Sequence, residues 1–289
     1  MTSIISSKEK TIEEWRTIAK DFGKEIGEMA QVDLLDKEIP ARDNKLIHCR
    51  VFNYKLSSNS PVLVFYPGCS FIFNFLEVNS VIASRIAALA KIKVILVSHR
   101  LAPENPIRTC FNDCYDAAAF IASNPSEFGI DSQKIMLGGW SSGAHASSYV
   151  ANKASFKIFH QILLAGSFDY THSSHEFDAF EAQDPTLKRS LVSHFATRFY
   201  FVSDFKDPDF SPYWQRCFTQ FPSTTFLCGE FDAFRNDTES FFLHLLKNNI
   251  PVTKIILRGQ SHNTIVMKNE AKDENPIQAL SRVIIEKLS

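Results

Sequence analysis

The fold is indicated most directly by residues 134–145, which read Lys134-Ile135-Met136-Leu137-Gly138-Gly139-Trp140-Ser141-Ser142-Gly143-Ala144-His145. An apolar run typical of a strand ends here in Gly-x-Ser-x-Gly, and small residues at helical spacing follow. This order is typical of a nucleophile elbow, a sharp strand-to-helix turn that presents a serine. Because glycine has no Cβ, the glycines two positions before and after Ser141 let the strand and the helix approach closely. A Gly/Ser-rich loop is the alternative, but the flanking patterns favour Ser141 as a nucleophile.

Strand and helix patterns alternate on both sides of this segment. The strand patterns are short apolar runs, which are typical of strands buried on both faces of a sheet. An amphipathic helix over 11–29, with Thr11 and Glu14 as a capping box, precedes them. We predict strands over 46–54, 61–66, 94–98, 134–137, 158–165, 224–227 and 252–257, and helices over 80–91, 109–123, 142–153, 237–248 and about 276–287. The alternation predicts an α/β fold with a mostly parallel central sheet and helices on both faces.

Residues 167–222 interrupt the alternation. They are rich in His, Phe, Asp and Ser, and a helix is expected only over 187–199. We interpret this segment as a small helical cap over the carboxyl edge of the sheet, completed by residues 1–35. The prediction is one domain, 1–289, with cap elements at about 1–35 and 167–222.

Composition excludes several classes of function. The chain has 289 residues and a formal net charge of -1, with no basic run, so a nucleic-acid partner is not expected. The N-terminus does not read as a secretory signal, and no apolar run is long enough to span a membrane. The six cysteines lack metal-binding spacing and are typical of free thiols in a reducing compartment. We therefore expect a cytoplasmic protein that needs no metal and no cofactor.

A serine hydroxyl acts as a nucleophile only with a base, which in turn needs an orienting acid. In a parallel sheet these partners should follow later strands, in the chain order acid and then histidine. Asp232 lies in the loop after the sixth predicted strand, and His262 lies in the loop after the last one. Glu230 is a rival carboxylate, but Asp232 lies farther past the strand end. We predict a catalytic triad of Ser141, His262 and Asp232.

Acyl transfer also needs N–H donors for the oxyanion that forms on the carbonyl oxygen. Ser142 follows the nucleophile and can supply one N–H, and the loop after the predicted strand 61–66 can supply others. That loop contains Gly68, Cys69 and Ser70. These four residues form the predicted oxyanion hole.

Three residues near the nucleophile are candidates for the substrate pocket. Phe71 follows the predicted oxyanion loop, and Trp140 directly precedes Ser141. His145 lies two residues beyond Gly143 on the predicted helix. We interpret His145 as a structural or substrate-contacting residue and not as the base, because it does not lie beside the serine hydroxyl.

With these motifs in place, the chain resembles the hormone-sensitive-lipase-like branch of the α/β-hydrolase esterases. The resemblance implies the Ser141/His262/Asp232 triad, a helical cap and hydrolysis of small carboxylic esters. It also implies a possible homodimer through the edge strand 252–257. The matching residues are His99-Arg100-Leu101-Ala102-Pro103-Glu104, Asp113, Gly129-Ile130-Asp131, Ser211-Pro212 and Gly229-Glu230-Phe231-Asp232-Ala233-Phe234-Arg235.

Two motifs depart from that branch. Its His-Gly-Gly-Gly loop reads Pro67-Gly68-Cys69-Ser70 here, so the N–H groups of Cys69 and Ser70 replace those of two glycines by position. The elbow reads Gly-Trp-Ser-Ser-Gly-Ala-His where Gly-Asp-Ser-Ala-Gly-Gly is usual, and its ending is similar to that of arylformamidases.

Three functions therefore stay open. The first is a serine carboxylesterase that cleaves small or aryl esters through an acyl-enzyme on Ser141. The second is an arylformamidase-type amide hydrolase that uses the same residues. The third is a catalytically impaired binding protein with a hydrolase fold. Both enzymes would act on a small molecule.

Overall fold

An eight-stranded β-sheet runs through the protein in the computed structural model, which describes residues 10–20, 26–171, 184, 187–267 and 276–289. Its strand order is β1-β2-β4-β3-β5-β6-β7-β8. Strand β2 runs antiparallel to both of its neighbours, β1 and β4, whereas β3 to β8 run parallel to one another. The strands are β1 (Leu34–Pro40), β2 (Leu46–Phe52), β3 (Ser60–Tyr66), β4 (Lys93–Ser98), β5 (Ile130–Trp140), β6 (His160–Leu164), β7 (Thr224–Gly229) and β8 (Val252–Leu257).

Helices cover both faces of this sheet. Helices α3 and α5 pack together over one face, and α2 and α8 pack together over the other. The helices are α1 (Ile12–Ala19), α2 (Leu76–Ala90), α3 (Ile107–Ser123), α4 (Pro125–Phe128), α5 (Ser142–Lys153), α6 (Arg189–Phe199), α7 (Arg235–Lys247) and α8 (Pro276–Leu288). The predicted α/β class with a mostly parallel sheet is confirmed.

Strand β3 explains why the central strands are continuous apolar runs. Val62, Val64 and Tyr66 join the core cluster under α3 and α5. Leu63 and Phe65 join the cluster under α2 and α8. Because successive side chains point to opposite faces and both faces are covered, residues 62–66 of this strand are apolar at every position.

The N-terminal part of the chain differs from the sequence prediction in two elements. The sequence does not predict strand β1, because Asp36, Lys37 and Glu38 interrupt its apolar pattern. As an edge strand, β1 is mostly exposed. The helix predicted over 11–29 begins with the expected capping box but is described only over Ile12–Ala19. Residues 26–29 are not helical, and Gly27 has a φ of 89°, which is incompatible with a right-handed helix.

The predicted cap lies partly outside the described residues, which omit 1–9, 21–25, 172–183 and 185–186. Within the described part, α1 contacts α6 through Trp15 and Phe195, whose ring centroids lie 5.3 Å apart. Phe195 also packs edge-on against Phe73, just after the predicted oxyanion loop. The two predicted cap segments therefore meet beside that loop. Among the helices in the described ranges, none has the length and apolar character needed to cross a membrane.

Candidate active site

The carboxyl ends of four parallel strands place the predicted catalytic residues along one edge of the sheet. The predicted oxyanion loop follows β3, and Ser141 follows β5. Asp232 and His262 follow β7 and β8. In open α/β sheets, ligands bind outside this edge.

Ser141 occupies a strained turn between β5 and α5. Its φ of 56° and ψ of -121° are rare for a residue with a side chain, and its N–H donates to the Leu164 carbonyl at 2.8 Å. A Cβ on Gly139 would collide with the backbone of Gly143, and one on Gly143 would collide with the Tyr66 carbonyl. Both glycines are therefore required for the close approach of strand and helix, as the Gly-x-Ser-x-Gly pattern predicts.

The structure brings Ser141, His262 and Asp232 together. The Nε2 atom of His262 lies 3.0 Å from the Oγ atom of Ser141, and its Nδ1 atom lies 3.1 Å from Oδ1 of Asp232. The same Oδ1 accepts the N–H of Phe234 at 2.8 Å, which fixes the carboxylate. Asp232 and His262 are buried, whereas Ser141 is partly exposed. The arrangement is a hydrogen-bonded chain from a buried carboxylate to an accessible hydroxyl.

The charged groups around His262 make its imidazole a stronger base. Burial lowers the pKa of His262, but the charge and hydrogen bond of Asp232 and the charge of Asp184 outweigh burial, so its pKa is raised above 6.5. Glu230, the rival carboxylate, accepts the N–H of Gly259 at 2.8 Å and is not bonded to the imidazole.

The predicted oxyanion loop has only part of its N–H groups available. Gly68 donates its N–H to Oδ1 of Asn79 at 2.9 Å, and Cys69 donates its N–H to Oγ of Ser142 at 2.9 Å. Within the described residues, the N–H of Ser70 has no acceptor. Ser142 is the first residue of α5, so its N–H has no intrahelical acceptor. Of the four predicted residues, Ser70 and Ser142 therefore hold the two available donors, whereas the N–H groups of Gly68 and Cys69 already have acceptors.

The backbone of this loop is strained and held from several directions. Ser70 and Phe71 have φ values of 47° and 54°, a conformation that favours glycine. The hydroxyl of Tyr200 donates to the Ser70 carbonyl at 2.6 Å. Arg16 of α1 donates through Nε to the Ile72 carbonyl at 2.8 Å. These contacts offset the backbone strain that the non-glycine residues introduce.

The motif that follows β4 also supports the loop. Ala102 donates its N–H to the Phe71 carbonyl at 2.9 Å. Arg100 forms a two-pronged ion pair with the fully buried Asp113 on α3. This ion pair fixes the chain just after the carboxyl end of β4, at the start of the segment that contains Ala102.

The three predicted pocket residues are all buried. Trp140 packs beside His262, with ring centroids 5.8 Å apart, and its ring leaves no room for a Cβ on Gly68. Phe71 and His145 are fully buried and contact each other in an aromatic cluster. In this structure they support the site from within the core, and direct contact with a substrate stays a prediction.

His145 is a neutral residue within that cluster. Burial lowers its pKa to about 4. Its Nδ1–H donates to the Ser167 carbonyl at 3.2 Å, and its Nε2 has no hydrogen-bond partner among the described residues. Its ring stacks on Phe111 with centroids 5.2 Å apart. It does not contact the triad, as expected for a residue that is not the base.

Sequence reasoning missed four side chains that hold the site: Arg16, Asn79, Asp184 and Tyr200. Arg16, Asp184 and Tyr200 reach the catalytic loops from distant parts of the chain. No local pattern marks these three residues, because what they contact is set by tertiary packing. Only Asn79, a polar residue on the buried face of an apolar helix, offered a signal of its own.

Comparisons with known proteins agree with this geometry. The family model described as alpha/beta hydrolase fold matches residues 63–266. An arylesterase of Saccharolobus solfataricus is 24% identical over 253 residues, which cover 86% of this chain and 79% of that protein. A hyperthermophilic esterase from the archaeon Pyrobaculum calidifontis has a TM-score of 0.87 at 21% identity, covering 99% of this chain and 94% of its own.

A thermostable carboxylesterase cloned from a metagenomic library has a TM-score of 0.88 at 20% identity, covering 97% of this chain and 98% of its own. At these identities the solved structures establish the fold. The family model spans most of the chain, and the elbow and the motif after β4 lie inside it. The chain belongs to the α/β-hydrolase family, in its hormone-sensitive-lipase-like branch.

Proposed function

We propose that the protein is a serine carboxylesterase that cleaves small or aryl esters through an acyl-enzyme on Ser141. The observation that carries this proposal is the continuous hydrogen-bond chain from Asp232 through His262 to Ser141. Membership of a hydrolase family supports it, as do the relatives named as esterases.

In the acylation step, His262 Nε2 takes the proton of the Ser141 hydroxyl while Oγ attacks the ester carbonyl carbon. The carbonyl oxygen gains the negative charge and lies between the N–H groups of Ser70 and Ser142. Asp232 stabilises the imidazolium and holds its tautomer. The tetrahedral species then collapses, the bond to the alkoxy oxygen breaks, and the imidazolium gives its proton to that oxygen, which leaves as the alcohol.

In the deacylation step, His262 takes a proton from a water molecule, and the resulting hydroxide attacks the acyl carbon. The same two N–H groups hold the second oxyanion. Collapse releases the carboxylic acid and returns the proton to Ser141. The raised pKa of His262 suits this role, because a stronger base accepts the proton more readily.

The direct test is hydrolysis of p-nitrophenyl esters of increasing acyl length by the wild type and by Ser141→Ala. We expect the wild type to be active and Ser141→Ala to lose at least about 1,000-fold in kcat. The control is Ser148→Ala on the same helix, whose hydroxyl only bonds its own helix at the Ala144 carbonyl. Unchanged activity in Ser141→Ala would remove the proposed nucleophile. An N-formyl aromatic amine, tested alongside, would identify a formamidase if it were the better substrate.

We further propose that residues 1–35 and 167–222 form the cap and limit the acyl chain. The contacts of Trp15, Phe73 and Phe195 beside the oxyanion loop support this. Activity should then fall steeply beyond about six acyl carbons, because the cap would close the end of the pocket that holds the acyl chain. Equal rates for short and long chains would contradict the cap proposal.

We also propose that β8 forms a homodimer interface. It is the last strand of the described sheet, so one edge is open for pairing with a second copy. Sedimentation equilibrium should then give twice the chain mass, and Thr253→Lys should weaken the dimer by placing like charges opposite each other. A monomer at all concentrations would contradict this proposal.

A further inference from the structure

Asp184 is a fully buried carboxylate that touches two catalytic loops. It lies between β6 and β7, far along the chain from β8. Its Oδ2 atom accepts the N–H of Ala233 at 3.1 Å and the N–H of His262 at 3.0 Å. Ala233 directly follows Asp232, so a single oxygen atom bridges the loop of the acid and the loop of the histidine.

A third N–H donor also favours a carboxylate in this position. The Oδ1 atom of Asp184 accepts the N–H of Leu187 at 3.1 Å. A carboxylate only accepts hydrogen bonds, and these three partners are all N–H donors.

The charge of Asp184 also reaches the imidazole. In the described part of the chain, the charged groups that act on His262 are Asp232 and Asp184. The rings of Trp140 and Phe234 pack against His262 and bring no charge. Two carboxylates from two different segments therefore favour the protonated form of His262.

We propose that Asp184 is a positioning residue, which holds the loops of Asp232 and His262 in register and supplies a second negative charge to the imidazolium. It acts through its neighbours and does not touch the substrate. This inference rests on the proposed function, since it assigns the residue to the same reaction. It also connects the segment between β6 and β7 to the triad, so a change in the position of Asp184 would alter the position and the basicity of His262.

Two variants separate the charge from the hydrogen bonds. Asp184→Asn can keep an oxygen toward Ala233 and His262, but it removes the charge. Asp184→Ala removes both, and it leaves buried N–H groups without an acceptor. Asp184→Glu restores the charge. The matched control is Asp237→Asn: Asp237 is also buried and accepts the N–H groups of Phe168 and Asp169 and the hydroxyl of Ser167, but it is not one of the two carboxylates whose charges raise the pKa of His262.

The experiment measures the pKa of His262 directly, by NMR titration of protein labelled with ¹³C at the histidine rings. The signal is assigned by its absence in His262→Gln. We expect the pKa of His262 to be lower in Asp184→Asn than in the wild type, and to return toward the wild-type value in Asp184→Glu. Asp237→Asn should leave it unchanged. The acid limb of kcat/KM should move to lower pH in Asp184→Asn, because the ring then stays neutral at lower pH.

Kinetics test the hydrogen bonds. Asp184→Ala should lower kcat by about 10- to 100-fold with little change in KM, since a small misplacement of a catalytic group costs that much. A pKa of His262 in Asp184→Asn equal to the wild-type value would overturn the inference, as would an equal fall in Asp237→Asn. A wild type that hydrolyses no ester would instead remove the proposed function, while the NMR titration would still decide the role of the charge.

Discussion

Ser142 would have two competing roles in the proposed oxyanion hole. Its N–H is one of the two available donors, but its hydroxyl occupies the N–H of Cys69. The related branch usually has alanine at this position, which cannot make that hydrogen bond. The hydroxyl therefore satisfies a buried N–H in the resting enzyme and withholds a donor from the oxyanion.

Ser142→Ala should raise kcat for p-nitrophenyl acetate by about 10-fold, because the N–H of Cys69 becomes a third donor to the oxyanion. The same change should lower the free energy of unfolding by about 1–3 kcal/mol, since a buried N–H loses its acceptor. Steady-state kinetics and urea unfolding measure the two effects. Ser142→Thr, which keeps the hydroxyl, is the control. A lower kcat in Ser142→Ala would contradict this account of the hole.

His145 predicts how stability depends on pH. Its pKa is about 4 in the folded protein and about 6.5 in the unfolded chain, because burial disfavours the charged ring. Between these values the unfolded chain binds the proton and the folded protein does not, so stability falls as the pH drops from 6.5 to 4. The fall due to this residue is about 3 kcal/mol.

Urea unfolding at several pH values measures this dependence. His160, whose pKa is also lowered to about 4, and His99, whose pKa burial also lowers, contribute in the same direction. His145→Gln should therefore remove only the share of this residue, about 3 kcal/mol, from the loss between pH 6.5 and 4. The same loss in the variant as in the wild type would show that His145 is not the group involved.

Secondary-structure elements could be predicted where one periodic pattern dominates. Helix α5 and strand β8 have the predicted bounds. Strand β1 was missed because an exposed edge strand carries charged residues, and its formation depends on pairing with β2. The contacts that complete the site, such as that of Tyr200 with Ser70, join elements far apart in the chain. Local patterns hold no information about such contacts.

Helix α1 reinforces the oxyanion loop through one side chain. Arg16 donates to the carbonyls of Ile72 and Ala102, and it also forms a two-pronged ion pair with Glu104. It therefore connects the loop after β3 to the motif after β4. An N-terminal helix that is remote in sequence thus restrains the position of the N–H donors.

Arg16→Ala should lower kcat for short esters by about 10-fold, because the loop that carries Ser70 becomes less restrained. The control is Arg42→Ala, which breaks a comparable two-pronged ion pair with Asp116 outside the site. Steady-state kinetics at matched thermal stability compare the two variants. Equal activity in both would mean that α1 does not position the loop.

The molecule as a whole unites four loops at one edge of a parallel sheet. The sheet places the carboxyl ends of β3, β5, β7 and β8 along one edge, although these strands are far apart in the sequence. The predicted oxyanion loop, the serine, the acid and the histidine follow these four strands in that order. Buried polar side chains hold three of these loops: Asn79 holds the loop after β3, and Asp184 holds the loops after β7 and β8. The apolar core lies on both faces of the sheet. This arrangement leaves the Ser141 hydroxyl as the partly exposed member of the triad.

The central claim is that His262 makes Ser141 a nucleophile, and labelling with a fluorophosphonate tests it most directly. Intact-mass and peptide mass spectrometry should find one adduct per chain, located on Ser141. The adduct should be absent in Ser141→Ala and should form at least about 100-fold more slowly in His262→Gln. An unlabelled wild type, or an adduct on another residue, would contradict the account.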